Sequence, residues 1–108
     1  MKNSVNLIGY VGQNPEIKTL DNGMKLAKFR LATNETYVTR EGEKKEQTQW
    51  HTIVAWGKTA EIVERFVNKG RLLGVEGKLA YRNFESAEGQ KHYFTEIRAN
   101  EILFLDRK

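Results

Sequence analysis

Apolar and polar residues alternate along most of this chain, and in one stretch the period changes. From Ser4 to Gly12 the residues Val5, Leu7 and Val11 fall on odd positions with Gly9 between them, which predicts a strand with a bend at the glycine. Gly12 and Pro15 end it. After Glu16 to Leu20 the pair Asn22-Gly23, tolerant of positive φ, marks a hairpin. A long strand follows from Met24 to Val38, with Ala27, Phe29 and Leu31 on one side and Lys28, Arg30 and Asn34 on the other. Thr39 to Lys45 reads as a charged, mobile loop, and Gln47 to Trp56 as a further strand. Then the spacing becomes helical. Ala60, Ile62, Val63, Phe66 and Val67 form one apolar face, with Thr59 as the expected N-cap, Gly70 as the closing C′ residue and Glu61 four residues before Arg65. Alternation returns in Arg71 to Glu85, with Leu73, Val75, Leu79 and Tyr81 on one face. Ser86 to Gln90 is a turn, and Lys91 to Leu105 carries Tyr93, Ile97, Ala99, Leu103 and Leu105 on one face.

Three strands, one helix and two strands, with glycines where curved strands must bend, is the order of an all-β OB-fold. That fold is a five-stranded Greek-key barrel, here with its helix between the third and fourth strands, and it accommodates oligonucleotides or oligosaccharides. At 108 residues the chain is long enough for one core, so residues 1–108 are read as a single OB-fold domain. An apolar share of 39% and a charged share of 30% suit a folded chain. The balance of 18 Lys+Arg against 14 Asp+Glu, a net +4, makes polyanions the first partners to consider. A basic surface without such a partner stays open on charge alone. With no cysteine, disulfides and thiolate metal sites are excluded. The start Met1-Lys2-Asn3-Ser4-Val5-Asn6 has no apolar leader, and no run is of membrane length, so a cytoplasmic, nucleoid-associated protein without a membrane partner is expected.

The residues that carry candidate chemistry are aromatic and basic. Alternation sets Lys78, Arg82 and Phe84 on the face opposite Leu73 and Val75. Phe84 either caps a small apolar cluster or offers a stacking platform beside phosphate-binding charges. Trp50 and Trp56 are an even number of residues apart and project from one face of an unbroken strand. They are either core or a shared binding surface, and Ile53 and Ala55 already give the other face an apolar stripe. Tyr37 adds a ring at the edge of the charged loop, and Lys25, Lys28, Arg30 and Lys58 are placed to track a phosphate backbone. Catalytic readings fail. His51 and His92 are the only histidines, with Asp21 and Asp106 the only aspartates, so no spaced metal-ligand set can be assembled and no metal or cofactor is expected. Gly77-Lys78 resembles the end of a phosphate-binding loop, but Leu72 stands where its first glycine belongs and Leu79 where its Ser/Thr belongs. The chain is read as a non-enzyme.

Val11-Gly12-Gln13-Asn14-Pro15-Glu16, Leu31-Ala32-Thr33-Asn34-Glu35, Glu46-Gln47-Thr48-Gln49-Trp50-His51, Trp56-Gly57-Lys58 and Val75-Glu76-Gly77-Lys78-Leu79, in that order and spacing, resemble bacterial and mitochondrial single-stranded-DNA-binding proteins. The resemblance spans nearly the whole chain. It implies sequence-independent binding and protection of single-stranded DNA in replication, recombination and repair. It also implies a homotetramer, often formed by pairing of first strands. The base-stacking positions of the family fall on Tyr37, Trp50, Trp56 and Phe84, and His51 matches a histidine near a subunit contact, with an ordinary satisfied surface histidine as the alternative. Family members commonly continue into a flexible tail with an acidic tip that recruits replication enzymes. These residues end at Asp106-Arg107-Lys108, so tail-dependent partners are not expected of them. Two relatives by fold compete with this reading: a primosomal accessory protein, whose family generally lacks the full aromatic set, and an RNA-binding OB module.

Overall fold

The computed structural model describes residues 2–85 and 87–106, and of residues 82–84 and 92–94 it describes the backbone. Six strand segments and one helix follow the order β1 (Val5–Val11), β2 (Glu16–Thr19), β3 (Lys25–Val38), β4 (Lys44–Trp56), α1 (Gly57–Phe66), β5 (Leu72–Glu85) and β6 (Lys91–Phe104). In the sheet they run β1-β5-β6-β4-β3-β2, and a further pairing of β1 with β3 closes the barrel. β1 and β2 lie along the same edge of β3, Val11 opposite Leu31 and Glu16 opposite Lys28. Together they are the single bent first strand of an OB-fold, interrupted around Pro15, which has no N–H to give to a ladder.

Inward-facing residues of the barrel strands and of the helix form one core. Phe29, Leu31, Ile53, Leu73 and Ile97 are buried from the strands, and Ala60, Val63 and Val67 from α1 and its end. The helix departs from expectation at both ends and on one flank. Gly57, at φ +60°, turns the chain straight from β4 into helix, so Trp56 occupies the N-cap without a side-chain cap and Thr59 already lies in the first turn. Val67 closes α1, and Gly70 serves the following turn, where Arg71 N–H donates to Asn68 O. Ile62 and Phe66 sit on the exposed flank, Phe66 edge-on to Phe104. Arg65 lies with its guanidinium carbon 5.3 Å from the centre of the Phe66 ring, and Glu64 of α1 forms an ion pair with Lys25.

The last strand holds the main correction. Glu76 pairs with Glu101 but Gly77 pairs with Ala99, leaving Asn100 as an extra residue in a β-bulge. One extra residue reverses parity. Ile97 and Ala99 face inward before it and Ile102 and Phe104 pack on the core after it, so Leu103 and Leu105, expected inside, are 51% and 45% exposed. Tyr81, expected on the apolar face of β5, is exposed as well. Arg71 ties this end of the barrel together. Its Nε lies 3.0 Å from Asp106 Oδ1, its Nη1 donates to Phe66 O, and its guanidinium carbon is 4.4 Å from the Phe104 ring centre. The Arg71 hydrogen bond, helped by the Leu72 N–H and opposed by desolvation, holds the Asp106 carboxyl below its ordinary pKa.

Candidate nucleic-acid interface

The β3–β4 ladder runs from Leu26↔Trp56 to Val38↔Lys44 without a slip, so parity holds over its whole length. His51, Ile53 and Ala55 share the inner face with Leu31, Phe29 and Ala27. Trp50, Thr52, Val54 and Trp56 share the outer face with Ala32, Arg30, Lys28 and Leu26. Both indoles therefore leave the barrel from one side, 51% and 41% exposed, and neither belongs to the core cluster. At the rise of an extended strand they stand about 20 Å apart.

The space between them is basic. Lys28 and Arg30 flank Val54 and Thr52 on β3. On the other side of β4, Arg98 lies opposite Val54, and Lys78 lies opposite Arg98. An open recess of about 110 Å³ beside Arg30 is lined by Gln13, Asn14, Glu16 and Lys28. Arg98 was missed from the sequence, although inward Ile97 and Ala99 on either side mark it as outward-facing. Glu96 shares the outward parity of Arg98 but is buried, with its Oε1 3.9 Å from Arg98 Nε. Trp50 itself is held. Arg30 stands over its ring at 5.1 Å from the centre, and the benzo edge of the indole lies against Gly12.

Other expected site residues lie elsewhere. Lys25 has the inward parity of Ala27 and bonds to Glu64 on α1. That hydrogen bond, with the charge of Glu64, raises the Lys25 pKa. The structure thus separates Lys25 from Lys28 and Arg30. Lys58 is exposed in the first turn of α1, two residues beyond Trp56. Tyr37 is the second-last residue of β3, at the edge of the connecting turn as expected; that turn is shorter than the sequence suggested, because β4 already begins at Lys44, with Gly42 N–H donating to Thr39 O and Thr39 N–H to Glu43 O. Tyr37 pairs with Lys45 and has the opposite parity to Trp50, on a two-stranded ribbon that extends past the barrel. The backbones of Arg82 and Phe84 continue β5, Phe84 opposite His92, while their side chains lie outside the described residues. His51 is half-buried, and its Nε2 is 2.9 Å from Thr33 Oγ1. Among the described residues, no group of His, Cys, Asp and Glu is placed to hold a metal, and no helix is long and apolar enough to cross a membrane.

A surface of spaced indoles and cations on an OB barrel has close counterparts. The chain is 39% identical over 108 residues to single-stranded DNA-binding protein 1 of Staphylococcus aureus, an alignment that covers 100% of this chain and 68% of that protein. It is 40% identical over 107 residues to single-stranded DNA-binding protein 1 of Xylella fastidiosa, covering 98% and 79%. Among solved structures it is similar to that of Plasmodium falciparum SSB in complex with ssDNA, with a TM-score of 0.92 and 37% identity over 98% of this chain and 97% of that one. The single-strand binding protein family, a family of non-catalytic DNA-binding proteins with typical roles in replication, repair and recombination, matches residues 2–105. This chain belongs to that family.

Proposed function

We propose that the chain holds single-stranded DNA, without reading its sequence, across the outer face of β3, β4, β5 and β6. Bases stack on Trp50 and Trp56 and, by the family resemblance, on Phe84 and on Tyr37 of the ribbon beyond that face, while Lys28, Arg30, Lys58, Lys78 and Arg98, together with Arg82 from the sequence reading, are assigned to the phosphates. The observation that carries this reading is the pair of half-exposed indoles on one strand face with Arg30, Lys28 and Arg98 between them. Lys25, engaged with Glu64, contributes only to the general field. A titration of intrinsic tryptophan fluorescence with oligo-dT tests it. Strong quenching by the single strand and weak quenching by duplex of equal length are expected, whereas equal responses would sink the reading. Competition with oligo-U of equal length separates DNA from RNA as the preferred strand.

We also propose a homotetramer in the cytoplasm, associated with the nucleoid. Two features support self-assembly. Over residues 5–9 the edge of β1 away from β5 carries no ladder among the described residues, which suits pairing with a second β1. Around Gly74, Ile8, Tyr10, Leu103 and Leu105 form an exposed apolar face on β1, β5 and β6. His51, near the junction of β1 with β3, is the subunit-contact residue of this proposal. Sedimentation equilibrium giving a monomer at micromolar concentration would overturn it.

A further inference from the structure

We propose that Gly12 is a positioning residue for strand binding: it is the seat of the Trp50 indole, and Arg30 keeps the ring on that seat. The proposal rests on the reading that Trp50 stacks on a base. A Cβ built on Gly12 would fall 2.3 Å from Cζ3 and 2.9 Å from Cη2 of Trp50, far inside van der Waals contact. The benzo edge therefore packs directly on main chain. The seat itself is rigid. Gly12 N–H donates to Arg30 O at 3.0 Å, and the preceding Val11 is buried, paired with Leu31, and donates to Arg71 O.

A methyl group at residue 12 thus meets a pinned backbone on one side and the outer end of a half-exposed side chain on the other. The ring is the part that must move. Gly9 shows the opposite case, because a Cβ there would lie 2.2 Å from the backbone oxygen of Ala32, where relief requires the barrel strands to part. Arg30 shares the outer face with Trp50 one rung along and adds a cation over the ring, at 5.1 Å from its centre. An indole held by both neighbours before the strand arrives has less rotamer freedom to lose on binding. It also offers its remaining exposed surface in one fixed direction, so the position of the stacked base is set by Gly12 as much as by Trp50.

The test is a cycle in the full chain: wild type, G12A, W50A, G12A/W50A, W50F and G12A/W50F. Affinity for labelled oligo-dT is read by anisotropy, with tryptophan emission and thermal melting alongside. G12A should melt near wild type and change its emission, because the indole leaves its seat. It should weaken binding roughly fivefold or more, the low end of a lost stacking contact, with an unchanged salt slope. It should add no loss to W50A. The phenyl ring lacks the outer edge that the methyl strikes, so G12A/W50F should bind as W50F does. G12A binding like wild type, or weakening W50A as much as it weakens wild type, would overturn the seat. If G12A does not fold, restoration by W50F supports the proposal and failure of that rescue refutes it. W50A binding like wild type would instead remove the stacking reading itself, a result that the G12A data cannot imitate.

Discussion

Two outer faces of this barrel expose apolar groups to a similar degree, and their neighbours set them apart. On β3 and β4 the half-exposed Trp50 and Trp56 are separated by Arg30, Lys28 and, across the β4–β6 contact, Arg98. On β1, β5 and β6 the exposed Ile8 and Leu103 lie on either side of Gly74, and the next rung is Asn6, Glu76 and Glu101. The first face joins π-surfaces to positive charge, which a flexible polyanion with unpaired bases requires. The second joins aliphatic side chains to an acidic border, which repels phosphate and suits a protein surface. Exposure alone does not distinguish a nucleic-acid site from a subunit interface. The interleaved residues do.

The largest effect expected from breaking this division comes from placing a charge in the second face. Leu103→Glu should dissociate the assembly, because an unpaired carboxylate in the middle of a buried apolar patch costs about 2 kcal/mol or more at each interface it enters. The barrel should survive, since Leu103 points away from the core. Sedimentation velocity checks this directly: a variant with the same sedimentation coefficient as wild type would remove the β1–β5–β6 face from the assembly.

A smaller effect is expected from removing one ring from each face. Trp56→Ala should weaken oligo-dT binding by about 1–3 kcal/mol, a range taken from base–aromatic stacking in single-strand binding proteins themselves. Tyr10→Ala, also an exposed ring but with Leu72 and Ala32 rather than cations as its cross-strand partners, should leave binding per subunit unchanged at concentrations where the assembly is intact. Anisotropy titrations of the two variants side by side decide it. Equal losses would mean that the two faces are not specialised.

Most of the first face was legible in the sequence, because a strand without irregularities obeys parity. Trp50, Trp56, Lys28 and Arg30 follow from counting by twos along β3 and β4. The second face was not. Asn100 reverses the parity of β6, and nothing in Ala99-Asn100-Glu101-Ile102-Leu103-Phe104-Leu105 announces the bulge, since four consecutive apolar residues fit either phase. Charge was harder to assign than ring orientation. Lys25 and Lys28 are alike in type, yet they stand three positions apart and so on opposite faces of β3. The first faces α1 and bonds to Glu64, while the second is exposed beside Val54. Arg98 is marked only by inward Ile97 and Ala99 on either side, a parity signal that gives its face but not that β4 and β6 meet there and bring it beside Val54. The seat at Gly12 could not be found from local pattern at all, because it joins residues 12 and 50 through the closure of the barrel.

The smallest effects are those of single charges, and they sharpen the comparison within the basic face itself. Lys78 and Arg98 are direct cross-strand partners, and Arg98 adjoins Val54 between the two indoles. Each one removed by alanine should lower the slope of log K against log salt by about 0.7, the value for one phosphate contact on a single strand, and should weaken binding more at low salt than at high. Lys25→Ala should leave the slope unchanged. Its ammonium is already paired with Glu64 and lies on the other parity of β3, so no counterion release is linked to it on binding. Arg98 carries a further condition. With Glu96 buried nearby, its Oε1 3.9 Å from Arg98 Nε, part of the Arg98 charge is answered within the protein. Its slope change should therefore not exceed that of Lys78. A Lys25→Ala slope change as large as that of Lys78→Ala would show that charge acts through the field of the whole molecule rather than through contacts on one face, and the assignment of phosphates to β3, β5 and β6 would have to be given up.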